Sequence, residues 1–512
     1  MPMSDYEVVI GLEVHCQLAT ATKMFSGCGY AVGAEPNSQI DAYTLGLPGT
    51  LPVPNRAAVD HALRLALAVG CEIPPLSRWA RKHYFYPDLP KGYQITQADQ
   101  PYALGGAIEI PDHARPDDPL ATTRVPLLRI HMEEDAGKNT HADEHSLIDY
   151  NRAGVPLVEI VSLPALRSAA EAADYVRELR TIVRYLGISA ANMEEGTLRC
   201  DANVSLRPVG ATELGTRCEI KNLNSFKFIE AAINAEIRRQ VDLLDAGEAV
   251  IQSTMSYDPG RDQTKVMRTK EAAADYRYFP EPDMPPLAID AAWITAAKAS
   301  LPALPWARRR ALVEFGLSAY DAGVLTADHE LANYFDIALA ACAELRGQPA
   351  ASLAKTVCNW VTGELLKLLK ADDSDDTDST SGRSLAACPV SPAALAELIG
   401  QIEAGTISGR AGKEVLAKLF AEPGRSPTQI IERDGYRQVS DQAAITAMVR
   451  EIVQAHPQQL EQLLAGKDKV RGFFVGQVMR VSNGQANPQV VQQALETVLE
   501  QLARADDKPD PS

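Results

Sequence analysis

The sequence predicts an α+β protein, with strands organising the first half and helices the second. Three observations carry this. Period-two alternation recurs in four stretches before residue 225. Helical patterns that end on glycine lie between and after them. Near residue 290 the strand patterning gives way to Ala- and Leu-rich helical segments, such as 306–316 and 352–370.

The 512 residues allow roughly two to four domains of about 100–200 residues each. The composition is 46% hydrophobic and 23% charged, ordinary for a chain with a large core. A net charge of −17 repels nucleic acid overall, so any contact with it needs a local basic patch. No run of about 18 apolar residues is present, and the N-terminus lacks the pattern of a signal peptide. Eight scattered cysteines fit buried thiols in a reducing cytoplasm better than a disulfide framework. A cytoplasmic protein is therefore expected.

The first alternating stretch runs from Val8 to Leu18. It sets Ile10, Leu12, Val14 and Cys16 on one face and Gly11, Glu13, His15 and Gln17 on the other. Glu13 and His15 can then reach one ion or phosphate, although for this stretch alone a sheet with one wet face is the plainer explanation. A Gly- and Pro-rich ordered loop follows over 26–55, then a helix over 56–69 that stops at Gly70. The stretch His83-Tyr-Phe-Tyr-Pro-Asp-Leu-Pro-Lys-Gly-Tyr is aromatic and turn-rich, with Arg81, Lys82 and Lys91 beside it. It reads as a packed corner or as a loop that contacts phosphates or bases.

In the second alternating stretch, Leu128 to Asp135, three acids close a strand and Ala-Gly-Lys138 follows. A divalent cation relieves the repulsion of such acids; an exposed acidic turn is the plain alternative. Strict alternation groups Glu133 with Arg129 and His131, and Glu134 with Leu128 and Met132. The period does not decide which glutamate faces a site, and a bulge would exchange them.

A helix begins at Ser168 with the Ser-x-x-Glu pattern of Ser168 and Glu171, carries Val176, Leu179 and Val183 as its stripe, and stops at Gly187. The third strand, 198–207, alternates apolar residues with Arg199, Asp201, Asn203, Ser205 and Arg207. The fourth, 217–222, sets Arg217, Glu219 and Lys221 on one side. A helix over 225–244 follows, and prolines exclude a helix from 267–287. Residues 372–384 are almost all Asp, Ser and Thr and read as a disordered insert. Short helices continue to the end, and the segment 467–488 is locally basic, suited to phosphate-backbone contact or to a solvated helix end.

There is no P-loop, no Gly-x-Gly-x-x-Gly after a strand, no His-Glu-x-x-His, no Gly-x-Ser-x-Gly and no Gly-Gly-Ser-Ser amidase run. The remaining acids, histidines, amides and bases suit an enzyme that handles Mg²⁺ and phosphate.

Six runs carry a resemblance: Ile10-Gly-Leu-Glu-Val-His15, Tyr84-Phe-Tyr-Pro-Asp88, His131-Met-Glu-Glu-Asp-Ala-Gly-Lys138, Met193 to Ser205, Glu219 to Ser225 and Asp275 to Asp283. The chain resembles the B-subunit family of aspartyl/glutamyl-tRNA(Asn/Gln) amidotransferases. The resemblance implies a kinase-like cradle with an antiparallel sheet (1–292), an all-helical domain (293–405) and a small helical tail domain that touches tRNA (406–512). It implies ATP-dependent conversion of misacylated Glu-tRNA(Gln) or Asp-tRNA(Asn): the side-chain carboxylate is phosphorylated, and ammonia displaces the phosphate. It also implies a heterotrimer with a glutaminase A subunit and a small C subunit.

For the site, the resemblance implies Glu13, His15 and Glu134 as Mg²⁺ ligands, with Glu133 and Asp201 as second choices. Lys82, Lys138, Arg199 and Lys221 are implied for ATP phosphates or transition-state charge, and Asn203 for orienting the substrate carboxylate. Many family members carry a four-cysteine zinc knuckle after the first strand. Here only Cys28 remains, with Ser26, Asp41 and Thr44 at the other positions, so no zinc is expected.

Overall fold

The computed structural model describes residues 5–141, 144–269, 275–371, 385, 388–438, 442–482 and 486–506. The insert at 372–384 lies outside them, as do residues 483–485 of the basic tail segment. The chain divides into two compact units, 1–310 and 311–512.

The first unit is organised by β1 (Tyr6–Gln17) at the centre of a nine-stranded sheet. In chain order the other elements used below are α1 (Arg56–Ala68), β2 (Ala80–His83), β3 (Tyr93–Thr96), β4 (Ala103–Leu104), β5 (Ala107–Pro111) and β6 (Thr122–Glu134). Then come β7 (Pro156–Ser162), α2 (Ala169–Tyr185), β8 (Leu198–Pro208), β9 (Cys218–Leu223), α3 (Phe226–Asp245), β10 (Ser253–Asp258) and β11 (Gln263–Thr269). The sheet order is β11-β10-β9-β8-β1-β7-β6-β4, with β5 also paired to β6. Every pairing is antiparallel except β9 with β10, which α3 connects. Strands β2 and β3 form a separate small sheet with Phe279–Pro280.

Register explains how the sheet acquires two characters. His15 lies opposite Glu159 on β7 and Arg199 on β8, and Glu159 lies opposite His131 on β6. Glu13 lies opposite Asp201, and Asn203 opposite Glu219. Directly paired residues share a face, so these odd-numbered side chains gather on one side. The even-numbered partners Ile10, Leu12, Val14, Cys16, Ile130, Met132, Val158, Ile160, Cys200, Ala202 and Ile220 are buried in one core. Helices α2 and α3 contribute Val176, Leu179, Val183, Ile229, Ile233 and Ile237 to that core.

The helix signals act as expected. Ser168 Oγ accepts from Glu171 N–H at 3.1 Å, Ser225 Oγ accepts from Phe228 N–H at 3.1 Å, and Asn55 caps α1.

The second unit is helical and carries two hydrophobic clusters, one spanning Leu312 to Ile431 and one spanning Ile445 to Val498. The helical segment expected over 352–370 forms as Ala350–Asn359 and Leu366–Ala371, joined by a π-helical turn at Trp360–Leu365. Among the described residues no helix is long and apolar enough to cross a membrane. All eight cysteines are free, and six of them are buried.

Candidate functional site

The odd-numbered face of the sheet forms the floor of a cleft of about 400 Å³ lined by Glu13, Lys82, Arg129, His131, Glu133 and Glu159, among others. At its base His15 Nε2 lies 3.2 Å from Glu159 Oε2 and 3.8 Å from Glu133 Oε1. His131 Nε2 approaches the same Glu159 oxygen at 3.4 Å. One donor atom from each of His15, Glu133 and Glu159 lies within 4.8 Å of the others. Two carboxylates and an imidazole converging from three adjacent strands make a donor set for a divalent cation. Thr96 Oγ1 fixes Glu133 by donating to its Oε2 at 3.1 Å.

The electrostatics reflect this crowding. Burial favours the protonated form of Glu159, but the His131 and His15 imidazoles outweigh it and hold the carboxyl well below its usual range. Burial opposes a charged His15, yet Glu159 and Glu133 raise its pKa. Glu13 is pushed up by burial and by the charge of Glu159. Its Oε1 accepts from Asn203 Nδ2 at 3.1 Å, which holds Asn203 beside the floor of the cleft.

The walls carry cations. Lys82 lies with its Nζ 5.0 Å from the centre of the Tyr276 ring; burial opposes its charge, but Glu133 raises its pKa. Arg129, Arg217, Lys221 and Arg268 also line the cleft. Lys221 Nζ already donates to Asp201 Oδ2 at 2.7 Å and pairs with Glu219 Oε1 at 2.5 Å.

The residues expected at the site therefore divide. Glu13, Lys82, Glu133, Asn203 and Lys221 line the cleft, and His15 reaches two of its lining carboxylates, Glu133 and Glu159. Glu134 does not: the pleat turns it to the opposite side of β6, where it pairs with Lys91 and accepts from Ile95 N–H at 2.9 Å. Arg199 shares the odd face but lies beyond the cleft, donating to Asp135 Oδ2 at 2.7 Å. Asp201 is held by Lys221 and by Asn222 N–H at 3.0 Å, outside the three-donor cluster. Lys138 sits exposed in the Lys138–His141 hairpin strand. Glu134 is placed away from the donor cluster because alternation sends adjacent side chains to opposite faces; Asp201 and Lys138 lie in another register row or element; Arg199 shares the row of His15 but is drawn off by Asp135; and Glu13, expected as a ligand, lines the cleft outside the three-donor cluster.

Sequence reasoning missed Glu159. Its signal was a single acid inside the apolar run Pro-Leu-Val-Glu-Ile-Val-Ser, where a buried charge needs a purpose. It grouped Arg129 with His131 and Glu133, and Arg217 with Glu219 and Lys221, without giving either arginine a role, and it missed Arg268, which the folded chain brings to the same cleft.

Residues 8–295 match the family described as the GatB/GatE catalytic domain, and residues 344–499 match the GatB domain. The chain belongs to the GatB family. It is 51% identical over 495 residues to the B subunit of the aspartyl/glutamyl-tRNA(Asn/Gln) amidotransferase of Anaeromyxobacter sp. (strain K), covering 96% of this chain and 98% of that one. Identity is 49% to the protein of that name from Alkalilimnicola ehrlichii, over 97% of this chain and 100% of the relative. It is 48% to that of Myxococcus xanthus, over 98% and 100%. The cleft lies entirely within the region matched to the GatB/GatE catalytic domain.

Proposed function

We propose that this GatB-family chain is the transamidating component of an aspartyl/glutamyl-tRNA(Asn/Gln) amidotransferase, a carbon–nitrogen ligase with glutamine as amide donor. Its substrates are ATP and misacylated Glu-tRNA(Gln) or Asp-tRNA(Asn). The observation that carries the reading is the convergence of His15, Glu133 and Glu159 on the floor of a cleft walled by cations.

The chemistry required is activation of a side-chain carboxylate, which resists direct attack by ammonia. Transfer of the γ-phosphoryl group to that carboxylate supplies a leaving group; ammonia then displaces phosphate and leaves the amide. Phosphoryl transfer asks a protein mainly for positioning and charge neutralisation. Lys82 and Arg129, with Arg217 and Arg268 on the same walls, supply positive charge for the phosphates. Asn203, held by Glu13, presents an amide to the substrate carboxylate. His15, Glu133 and Glu159 would hold Mg²⁺, which when bound would neutralise phosphate charge. His131 secures Glu159 from the neighbouring strand.

Ammonia comes from a partner glutaminase A subunit, with a small C subunit completing a heterotrimer; this chain has no amidase signature of its own. The loop positions of the family's zinc knuckle are here Ser26, Cys28, Asp41 and Thr44. They are joined by hydrogen bonds from Cys28 N–H to Ser26 Oγ and from Thr44 N–H to Asp41 Oδ1. One thiol among them makes a poor zinc set.

The test is ATP hydrolysis by the reconstituted complex with and without Glu-tRNA(Gln). The expected result is turnover that depends on the charged tRNA and disappears in Glu159→Gln while tRNA still binds. Wild-type complex that binds tRNA and never consumes ATP would make the chain a non-catalytic tRNA scaffold instead.

A further inference from the structure

The rim of the cleft has a property that the ion and phosphate chemistry leaves unused. Among the described residues six large aromatic side chains are markedly exposed, and four of them lie in the two segments that flank the cleft-lining Lys82 and Tyr276: Phe85 (78%), Tyr86 (58%), Tyr278 (48%) and Phe279 (45%). Exposed apolar surface concentrated in one place marks an interaction site.

Edge-on contacts link four tyrosines, Tyr86, Tyr84, Tyr276 and Tyr278, in a row. Tyr86 meets Tyr84 edge-on at 5.9 Å, Tyr84 meets Tyr276 at 6.2 Å, and Tyr276 meets Tyr278 at 6.1 Å. Phe279 stacks on His83 at 4.8 Å. The inner members, Tyr276 and Tyr278, line the cleft itself beside Lys82. The array thus leads from solvent to the phosphate-handling floor.

The turn that carries Phe85 and Tyr86 is pinned from behind. Tyr150 OH donates to Pro87 O at 2.9 Å, and Gly137 N–H donates to Asp88 O at 2.8 Å. Gly137 is required there, since a Cβ would meet Asp149 O at 2.9 Å and Asp88 O at 3.0 Å. Gly92, at φ +73°, lies under the Phe85 ring, where a Cβ would come within 3.1 Å of it. The outward aromatics are therefore fixed in advance of any ligand, which lowers the ordering cost of binding.

Resting on the functional reading above, we infer that this aromatic rim is a stacking platform for the unpaired 3′-terminal nucleotides of the aminoacyl-tRNA. Single-stranded RNA ends are held by stacking of splayed bases on aromatic side chains, without sequence readout. Stacking also suits this chain's charge: at −17 it repels a polyanion, and base–ring contact needs no basic surface. The amino acid is esterified to the terminal nucleotide. A platform continuous with the cleft delivers the side-chain carboxylate to the floor while the bases stay at the rim.

The experiment uses the reconstituted complex and tRNA(Gln) with 2-aminopurine in place of the 3′-terminal adenine. Wild type is expected to quench the fluorophore on binding. Phe85→Ala/Tyr86→Ala is expected to abolish the quench and to raise KM for Glu-tRNA(Gln) roughly tenfold or more. Phe85→Trp/Tyr86→Trp should restore both, which a purely structural role would not do. An unchanged quench and KM in the alanine variant overturns the inference. So does a rise in KM for ATP alone, which would assign the rings to the nucleotide. Loss of the complex on size-exclusion chromatography would assign them to a partner protein and overturns it as well. The quench requires no turnover, so failure of the functional reading shows separately, as wild type that never couples tRNA to ATP use.

Discussion

Glu133 and Glu134 are neighbours in sequence and equally inaccessible, yet they belong to two different regions of the molecule. Glu134, on the far side of β6, is neutralised by Lys91 and held by Ile95 N–H. Asp135 nearby is likewise satisfied, by Arg199 and Gln17. On the cleft side Glu133 and Glu159 lie beside the same His15 imidazole, and the charge of Glu159 helps push Glu13 up. Glu134, paired with its own lysine on the far face, serves the fold; Glu133, Glu159 and His15 converge from three strands at the base of a cleft, as a donor set that an arriving cation can use.

The largest expected effect tests that contrast directly. Glu159→Gln removes one donor at nearly constant shape. It should lower tRNA-dependent ATP turnover roughly 100-fold or more. Glu134→Gln is the reverse case, because it leaves the Lys91 ammonium buried and unmatched. It should cost about 3 kcal/mol in denaturant unfolding. If Glu134→Gln proved neutral in stability, the distinction between the two faces would fail.

Metal binding sharpens the comparison next. Mn²⁺ titrated by electron paramagnetic resonance should bind the wild type, and Glu159→Gln should need roughly 10–100-fold more ion. Bound ion should also raise wild-type thermal stability, by about 2.7 kcal/mol at 100-fold excess over Kd. Glu134 variants that still fold should keep the wild-type ion affinity.

A smaller effect lies in the helical unit. There Asp321 accepts from Lys355 Nζ at 2.7 Å and Ser318 Oγ at 2.6 Å, and the Lys355 bond chiefly holds its carboxyl below the usual range. A depressed folded pKa adds stability above the unfolded carboxylate range, and that stability is lost as pH falls through the folded value. Asp321→Asn in the full chain should therefore lower the melting temperature modestly at pH 7, with the gap closing as the pH falls below the carboxylate range. The smallest effect belongs to Lys138→Ala. That side chain is exposed and off the cleft, so ATP turnover should stay within about twofold of wild type.

Much of the first unit was legible because strands with one wet face write their burial into alternate residues. Glu13 and His15, and the buried Val14 and Cys16 between and after them, are read from β1 directly. The helix caps Ser168 and Ser225 are equally local. Glu159 was hidden because β7 is buried along most of its length, so its pattern reads as an apolar run. The cleft arginines come from three strands or their edges and have no common local signal.

The sequence by itself determined which residues alternate, where helices start and stop, and that an acid, imidazole and amide face exists. Those properties depend on the backbone's period and on neighbours a few residues away. Only the tertiary structure decided that Glu159 rather than Glu134 completes the donor cluster with His15 and Glu133. It also decided that the aromatics near residues 85 and 278 meet at one rim. The reason is register: pairing His15 with Glu159, and Glu159 with His131, is a fact about which strands lie side by side.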